Sequence, residues 1–242
     1  MDNKSEINKN AATKQWESLY AAYENAGAEI SIVDPVEGIP ELTFAGDSIF
    51  LFGDIAISSK FRYAERQPEV QPMANWFTAL GYSIKQVSPN AHFEGNAELI
   101  KWNGNLIGGY GIRSSKKAYP SISETLDIEI IPLQMKNPYY HLDTGFCPLG
   151  EDTIAYVPEA FEEESRKTVS GLASKTIEIN SKEAQVMACN SKMVGDTVIV
   201  STKQAPKFCS ELRALGFDVI ELELSEFRKA GAGAKCLTLE AY

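Results

Sequence analysis

Apolar residues at helical spacing, then a glycine, then an alternating apolar run recur along this chain. The stretches "AATKQWESLYAAYENAG" with "AEISIVDP" (11–35), "QPMANWFTALG" with "YSIKQVSP" (71–89) and "APKFCSELRALG" with "FDVIELEL" (205–224) each predict a helix, a glycine stop and a strand. Two weaker copies, "SISETLDIEIIPL" (121–133) and "SGLASKTIEINS" (170–181), bring the total to five helix–strand units. Repetition at intervals of about 40 to 55 residues is typical of repeat architectures.

Hairpin strands fill the gaps between these units. In "ELIKWNGNLIGGYG" (98–111), two alternating runs flank an Asn-Gly turn, which favours a two-residue hairpin. Five such units can stack in a line or close into a ring, and a ring is preferred because it leaves no exposed sheet edge. The competing doubly wound sheet is disfavoured because "GGYGIRSS" (108–115) lacks the GxGxxG spacing of a nucleotide loop. We therefore predict a single α/β domain over residues 1–242.

Charge and hydropathy narrow the classes of partner. The formal net charge is −10 and the pI is near 4.8, so neither nucleic acid nor an anionic membrane is expected, because phosphate binding needs basic patches. A small cationic substrate suits an acidic protein better. No apolar run approaches the roughly 20 residues of a membrane span, and "MDNKSEINKN" has no signal pattern, so we expect a cytoplasmic protein.

The four cysteines, Cys147, Cys189, Cys209 and Cys236, show neither paired spacing nor a Cys/His ligand pattern, so neither a disulfide scaffold nor a metal site is predicted. The first three are interpreted as small buried hydrophobes. Cys236 follows two glycines in "KAGAGAKCLTLE" (229–240), which remove side-chain cover and allow close approach by another group. A reactive thiol on a terminal strand is therefore predicted at Cys236.

The chain has only two histidines, His92 and His141. In "PYYHLDTGFCPLG" we predict a strand that directs His141 and Asp143 to the same face. The same period of two directs His92 and Glu94 to one face of "NAHFEGNAEL". From the residues alone, each pair fits either a structural hydrogen bond or an active site.

Acidic residues indicate the kind of substrate. Asp47, Glu94, Glu98 and Asp143 lie at strand ends or beside glycines, where the loops of a ring converge. A guanidinium presents a planar fork of donors that carboxylates satisfy in pairs. Carboxylates beside a cysteine and a histidine would therefore form a guanidinium pocket.

These motifs resemble those of the guanidino-group-modifying superfamily, which comprises arginine deiminases, dimethylarginine dimethylaminohydrolases and amidinotransferases. The resemblance is strongest for the arginine dihydrolase-like and dimethylargininase-like branch, and it implies a five-bladed α/β propeller (a pentein) of ββαβ units. Relatives begin with a further strand ahead of the first helix, which leaves open whether the first blade is complete. The resemblance runs through "GIPELTFAGDSIFLFGDIAISSKFRYAERQPE" (38–69), "FEGNAELI" (93–100), "GGYGIRSS" (108–115), "YYHLDTGFCPL" (139–149) and "KAGAGAKCLTLE" (229–240).

The resemblance also implies roles for individual residues. Cys236 would be the nucleophile, His141 the general acid and base, and Glu94 the third member of the catalytic set. Glu94 and Asp143 would hold the guanidinium. Many arginine dihydrolase-like chains have Asn at the position of Asp47, so the Asp here favours simple deimination or dimethylamine release over a two-step release of ammonia. The substrate-binding set consists of Phe44, Asp47, Glu98, Arg113 and Asp143, of which Arg113 would meet the substrate's α-carboxylate.

The predicted activity is hydrolysis of the guanidinium group of arginine or a modified arginine through a covalent thiouronium intermediate on Cys236. This chemistry requires no metal and no organic cofactor. Two alternatives stay open: an amidinotransferase that passes the amidino group to an amine, and a non-catalytic propeller that binds a guanidine or a protein partner. The oligomeric state is also open, with a homodimer among the alternatives.

Overall fold

Four three-stranded sheets of the same construction make up the β structure of the computed structural model, which describes residues 6–241. In each sheet two strands form an antiparallel hairpin, and a third strand pairs in parallel with the second. A helix precedes each parallel strand, as a parallel crossover requires. The described strands are β1 (Ile49–Phe52), β2 (Ile55–Ser58), β3 (Ser83–Gln86), β4 (Leu99–Trp102), β5 (Asn105–Tyr110), β6 (Ile130–Gln134), β7 (Phe146–Pro148), β8 (Thr153–Tyr156), β9 (Lys175–Glu178), β10 (Lys192–Val194), β11 (Thr197–Val200) and β12 (Asp218–Glu221).

Helices α3, α5, α6 and α8 supply these four crossovers, and in chain order the other α-helices precede the hairpins, except α9, which follows β12. The described α-helices are α1 (Lys9–Asn25), α2 (Ala45–Ser48), α3 (Val70–Ala79), α4 (Gly95–Glu98), α5 (Tyr119–Leu126), α6 (Glu163–Leu172), α7 (Ser181–Gln185), α8 (Pro206–Ala214) and α9 (Ser225–Arg228). None of the helices within residues 6–241 combines the length and the apolar composition that crossing a bilayer would need.

The chain divides into two compact units, each assembled from separate segments. Unit 1 contains the described residues of Met1–Ile32 together with Thr144–Glu159 and Val169–Lys235, and it holds the sheets β7–β9 and β10–β12. Unit 2 contains Val33–Asp143, Ala160–Thr168 and the described residues of Cys236–Tyr242, and it holds the sheets β1–β3 and β4–β6. The single domain predicted over residues 1–242 stays a prediction.

Unit 2 has two apolar clusters, one around each of its sheets. The cluster of the β1–β3 sheet contains Leu51 from β1 and Met73 and Phe77 from α3, which present apolar side chains at helical spacing. The second cluster contains Leu99 and Leu106 of the β4–β6 sheet, both at 0% exposure, and also includes side chains from β1 and β2. The segments that precede β1 and β4 are therefore attached to sheets that packed apolar side chains hold in place.

The repeat pattern correctly predicts most elements. Helices are found over Val70–Ala79, Tyr119–Leu126 and Pro206–Ala214, each followed by the expected strand. The Asn-Gly hairpin joins β4 and β5, and both turn residues adopt positive φ, 47° at Asn103 and 74° at Gly104, as a primed turn requires. The α/β class is thus confirmed, whereas the five-bladed ring stays a prediction.

Three predicted strands are wrong, and the one predicted to carry His141 and Asp143 is described with the site below. Residues 28–35 ("AEISIVDP") follow helix α1 as expected, but they form no strand with any described part of the chain, and Ile32 is 56% exposed. Residues 236–241 are also not a strand: Cys236 lies in a turn. The apolar alternation of "CLTLE" reflects burial and not strand pairing: Leu237 is buried, and Leu239 packs on the cluster of the β1–β3 sheet.

Candidate active site

The site forms in unit 2, where two short helices precede the hairpins β1–β2 and β4–β5. Asp47 lies in α2, and Glu94 lies immediately before α4. Gly95 allows the two segments to touch: its φ is +56°, and a Cβ there would lie 2.7 Å from the Asp47 carbonyl oxygen and 2.8 Å from Ile49 N. A glycine is therefore required at this position, and it brings two buried carboxylates to neighbouring backbone positions.

Glu94 is the centre of a hydrogen-bonded group. Its Oε2 lies 2.7 Å from His141 Nε2 and accepts from Arg113 Nη1 at 3.0 Å, while its Oε1 accepts from Arg62 N at 3.1 Å. Burial alone would favour the protonated acid, but the hydrogen bond and charge of His141, with help from Arg113, lower the pKa of Glu94 to about 2. Glu94 is thus an anion over the whole physiological pH range.

His141 is 1% exposed. A strand was predicted here, but the residue lies in a bend just before a 3₁₀ turn over Leu142–Thr144. Its Nδ1 lies 4.0 Å from Asp47 Oδ2. Burial disfavours the imidazolium, yet the charge of Asp47 and the hydrogen bond to Glu94 together raise the pKa of His141 to about 9. The ring is therefore positively charged at neutral pH. The period of two that paired His141 with Asp143 applies to a strand and not to a bend. The acidic partners of His141, Glu94 and Asp47, come from two other segments.

Arg113 is held between two aromatic rings. Its guanidinium carbon lies 4.8 Å from the ring centroid of Tyr63 and 5.2 Å from that of Tyr140. Arg113 is 8% exposed, whereas Tyr63 is 49% exposed. The arginine thus forms a buried ion pair with Glu94, with one aromatic face toward solvent.

Cys236 is 3% exposed, and its thiol donates to Asp143 Oδ2 at 3.4 Å. Its backbone carbonyl accepts from Gly46 N at 3.2 Å, which ties the cysteine to the segment that carries Asp47. The Cys236 sulfur and one carboxylate oxygen each from Asp47 and Asp143 lie within 4.8 Å of one another. A thiol, two acids and, beyond Asp47, an imidazolium therefore converge on one small volume.

Gly233 allows the close approach that was predicted for the glycines ahead of Cys236, and the groups that approach it are side chains. In unit 1, a Cβ on Gly233 would lie 2.5 Å from Ser201 Oγ and 2.8 Å from Asn190 Oδ1. Gly233 N donates to that same Asn190 oxygen at 3.0 Å, and Ala234 N donates to Ser201 Oγ at 2.8 Å. The space beside Gly233 is therefore filled by the Ser201 and Asn190 side chains, which fix the turn before Cys236.

Sequence reasoning missed two buried charged residues beside Asp47. Arg66 Nη1 donates to Asp47 Oδ2 at 2.7 Å, and Arg66 Nε and Nη2 donate to the two oxygens of Glu69, each at 2.7 Å. Glu69 is 0% exposed and also accepts from Ser48 Oγ at 3.2 Å. Burial opposes the charge on Arg66, but the charge of Asp47 and the bonds to Glu69 outweigh it and raise its pKa. The three-residue spacing in "RQPE" is a signal for this pair, though the same spacing is commoner on solvated surfaces.

Phe44 and Phe61 complete the surroundings of Arg66, with ring centroids 5.9 Å and 4.5 Å from its guanidinium carbon. Phe44 is buried and lies directly before α2. Asp47 Oδ1 has no hydrogen-bond partner among residues 6–241, although Asp47 is only 4% exposed. A buried carboxylate oxygen in this condition is available to a cationic ligand.

Glu98 is 1% exposed, and its oxygens accept from two backbone amides, Ser114 N at 3.2 Å and Leu142 N at 3.1 Å. Burial raises the pKa of Glu98 to about 8, although His141 opposes the shift. The role predicted for Glu98 in substrate binding stays a prediction.

A thiol and two carboxylates at the spacing of Cys236, Asp47 and Asp143 are also ligand types that could hold a metal ion. The prediction that no metal is required stays a prediction.

The predicted pair of His92 and Glu94 is not bonded together. His92 Nδ1 lies 3.3 Å from the Phe61 carbonyl oxygen, and the histidine that contacts Glu94 is His141.

Sequence comparison matches the whole chain to one protein family. The family described as "N,N dimethylarginine dimethylhydrolase, eukaryotic" matches residues 1–242. The N(G),N(G)-dimethylarginine dimethylaminohydrolase of Mycobacterium tuberculosis is 32% identical over 243 residues, which are 100% of this chain and 80% of that protein. The bifunctional arginine dihydrolase/ornithine cyclodeaminase AgrE of Nostoc sp. is 34% identical over 236 residues, 94% of this chain but only 33% of AgrE.

Solved structures agree in fold. The N-terminal domain of an ArgZ variant covalently bound to a reaction intermediate superposes with a TM-score of 0.92 at 31% identity, over 96% of this chain and 87% of that one. A dimethylarginine dimethylaminohydrolase adduct with S-methyl-L-thiocitrulline superposes with a TM-score of 0.85 at 18% identity, over 98% and 91% of the two chains, which shows the fold alone.

These matches confirm the superfamily predicted from the motifs, and with it the predicted enzyme class, a hydrolase of C–N bonds in linear amidines. The buried thiol, imidazolium and acids of unit 2 are the groups that such a reaction needs. The chain belongs to the dimethylarginine dimethylaminohydrolase family, within the guanidino-group-modifying superfamily.

Proposed function

We propose that the protein hydrolyses the guanidinium group of arginine or a modified arginine through a covalent thiouronium intermediate on Cys236. The observation that carries the proposal is the convergence of the Cys236 sulfur with oxygens of Asp47 and Asp143, all within 4.8 Å of one another. A cationic, planar carbon centre held by the two acids would lie against the sulfur. The covalent intermediate in the ArgZ structure supports this chemistry on the same fold.

Two acids and two arginines divide the work of substrate binding. Asp143 and the Oδ1 oxygen of Asp47 hold the guanidinium, since Oδ2 of Asp47 is already bonded to Arg66. Arg66 and Arg113 are the buried cations beside this acid cluster, and their remaining N–H groups suit a carboxylate at the other end of an amino acid. An α-amino acid guanidine therefore fits better than a guanidine without a carboxylate.

Arrival of the substrate starts the reaction. In the empty site the Cys236 thiol donates to the Asp143 carboxylate, a contact that holds the proton on sulfur. A guanidinium bound to Asp143 competes for that oxygen and supplies positive charge, so the thiol loses its proton to solvent and becomes a nucleophile. The thiolate then attacks the guanidinium carbon and forms the C–S bond.

His141 handles the protons of both half-reactions. As an imidazolium it donates a proton to the departing nitrogen, the C–N bond breaks, and ammonia or an amine leaves. The neutral ring then takes a proton from water, whose oxygen attacks the thiouronium carbon. Cleavage of the C–S bond, with the hydroxyl proton of the intermediate passing to sulfur, restores the Cys236 thiol and releases the neutral ureido product, while Glu94 holds the ring in place throughout.

The finer choice of reaction follows from Asp47. An Asp at this position, rather than the Asn of many arginine dihydrolase-like chains, favours a single release of ammonia or dimethylamine with a citrulline-type product. The chain spans one third of AgrE, so the activities of that whole protein are not carried over. We further propose that the four ββαβ sheets are blades of the five-bladed propeller; their identical strand order supports this. The cytoplasmic location and the absence of any cofactor remain predictions from the sequence.

A substrate panel tests the proposal. Purified protein is incubated with arginine, monomethylarginine, asymmetric dimethylarginine and agmatine, with and without glycine as an amine acceptor, and the products are followed by mass spectrometry. We expect a ureido product from at least one α-amino acid guanidine without glycine, slower reaction of agmatine, and no product with Cys236→Ala. Absence of turnover with every guanidine would reject the hydrolase, and strict dependence on glycine would indicate amidino transfer.

A further inference from the structure

Glu98 connects the two loops that carry the side chains bonded to Glu94. Ser114 N, one residue after Arg113, donates to Oε1 of Glu98, and Leu142 N, one residue after His141, donates to Oε2. One buried carboxylate thus bridges two backbone segments far apart in sequence. The side chains of Arg113 and His141 then meet on a single oxygen of Glu94.

The surroundings of Glu98 are built to hold it in this position. A Cβ on Gly109 would lie 2.5 Å from Glu98 Oε2 and 2.6 Å from Leu142 Cβ, so the glycine provides the space for the carboxylate. The hydroxyl of Tyr119 donates to the Gly109 carbonyl oxygen and, at 3.4 Å, to the Glu98 carbonyl oxygen. The Ser114 hydroxyl accepts from Glu94 N at 3.0 Å, which links the bridged loop back to Glu94.

We propose that Glu98 is a positioning residue that locks the backbones following Arg113 and His141 together and so sets the orientation of the His141 ring on Glu94. The inference deepens the proposed function and rests on it. With both oxygens occupied by backbone donors and 1% exposure, Glu98 acts on the reaction through His141 and not by touching the substrate.

The chemistry of the bridge makes the side chain hard to replace. Two backbone donors need two acceptor oxygens, and Gln offers one, so Glu98→Gln leaves one buried N–H without an acceptor. Asp keeps both carboxyl oxygens but is one methylene shorter, so it cannot reach both loops. In either variant one loop is released, and positioning errors of about 1 Å can lower a rate about 100-fold.

The titratable groups that face Glu98 are His141, Glu94 and Tyr119. Ionised Glu98 contributes to the charge that raises the pKa of His141, so at a pH above about 8, where Glu98 is ionised, a neutral side chain at this position would by itself lower the pKa of His141. Glu98→Asp separates the two effects, since it keeps an ionisable carboxyl group and changes the geometry.

A matched control exists in unit 1. Glu183 is also buried, at 5% exposure, and also accepts from two backbone amides, Lys207 N at 2.8 Å and Phe208 N at 3.4 Å. It bonds no residue of the candidate site. Both of these bonds use Oε1, whereas Oε2 accepts from Asn180 Nδ2 at 2.9 Å. Glu183→Gln therefore removes one acceptor oxygen of a buried carboxyl group without the proposed positioning role, and the acceptor it removes serves a side chain and not a backbone amide.

The test compares Glu98→Gln, Glu98→Asp and Glu183→Gln by two readouts. The first is ¹⁵N NMR of the imidazoles, which gives signals from only two histidines and needs no turnover. We expect the His141 signals to change and its pKa to fall in both Glu98 variants but not in Glu183→Gln. The second is steady-state kinetics: kcat should fall roughly 10- to 100-fold in the Glu98 variants with KM within about threefold.

The outcomes separate this inference from the proposed function. If Glu98→Asp leaves the His141 signals and kcat unchanged, the positioning role is wrong, whatever its effect on Tm. If Glu98→Gln does not fold, the result for Glu98→Asp decides. If no guanidine is turned over by the unmodified protein, the proposed function fails, and the imidazole signals alone still decide whether Glu98 positions His141.

Discussion

His141 Nε2 lies 2.7 Å from Glu94 Oε2, while Nδ1 of the same ring lies 4.0 Å from Asp47 Oδ2. The imidazole thus has a carboxylate at each nitrogen. Burial favours the neutral ring, but the two acids overcome it and raise the pKa of His141 to about 9. The ring is an imidazolium at neutral pH, with Nδ1 directed to the side where Asp47 and Cys236 approach each other.

Replacing Glu94 with Gln should therefore impair His141 as a general acid while leaving the imidazole side chain in place. Glu94→Gln loses the anion that supports the imidazolium, so the pKa of His141 should fall from about 9 toward 6.5. We expect kcat/KM to fall about 10²- to 10⁴-fold, the usual contribution of a general acid–base residue. ¹⁵N NMR measures the pKa, with His92 as the internal control. An unchanged pKa for His141 would mean that the contact with Glu94 does not hold the charge.

The site shows what sequence can and cannot predict. The thiol, the histidine and the acids can be named as candidates from the sequence because each is chemically distinctive and lies in a motif. Arg66 and Glu69 were missed because charged residues three apart are indistinguishable, in sequence, from a solvated ion pair. Only the tertiary structure shows that both are buried.

The fold shows the same limit. Helix α3 and strand β3 follow directly from local periodicity, and the structure contains both. The apolar alternation of residues 28–35 and 236–241 is equally clear, but a strand forms only where a partner supplies ladder hydrogen bonds. Leu239 instead packs on an apolar cluster from an irregular segment. Periodicity thus predicts burial more reliably than it predicts pairing.

The close approach at Gly95 provides a test of how the two acids are brought together. Gly95→Ala and Gly81→Ala both force alanine into positive φ, at +56° and +92°, which costs about 1–2 kcal/mol in each case. Only Gly95 also faces a backbone, since nothing lies within 4 Å of a Cβ on Gly81. In urea titrations, Gly95→Ala should lower the free energy of unfolding more than Gly81→Ala does. It should also lower kcat at least about tenfold. Equal effects of the two variants would contradict this role.

The buried Arg66 should be essential for stability. Arg66→Met leaves the carboxylates of Asp47 and Glu69 buried without their cation, and the free energy of unfolding should fall by about 3–5 kcal/mol. The surface pair Lys175–Asp152, at 2.9 Å with both side chains more than half exposed, is the control. Lys175→Met should cause no measurable change in a urea titration. A loss as small as that of Lys175→Met would show that Arg66 does not compensate these acids.

Two buried groups should make the protein less stable as the pH rises. The folded-state pKa of His141 is raised from 6.5 to about 9 and that of Glu98 from 4.5 to about 8, so the folded protein binds more protons than the unfolded chain between pH 4.5 and 9. The contribution of Glu98 is present below pH 4.5 and is lost as the pH rises through 8. That of His141 is present below 6.5 and is lost through 9.

Urea titrations from pH 4.5 to 9 measure this dependence. The free energy of unfolding should decrease with pH, and Glu98→Gln should remove the part between pH 4.5 and 8. Glu94 acts in the opposite sense: its pKa is lowered from 4.5 to about 2, so its contribution is present above pH 4.5 and is lost as the pH falls through 2. Stability that rises steadily from pH 5 to 9 would contradict the protonation states assigned to His141 and Glu98.

The most direct measurement is the mass of the enzyme during turnover. The protein is mixed with the best guanidine substrate, quenched in acid within milliseconds to seconds, and digested for peptide mass spectrometry. The account predicts a thiouronium adduct on the peptide that contains Cys236, absent from Cys236→Ser and lost from the native protein as the ureido product accumulates. An adduct on Cys147, Cys189 or Cys209, or undiminished turnover by Cys236→Ser, would contradict it.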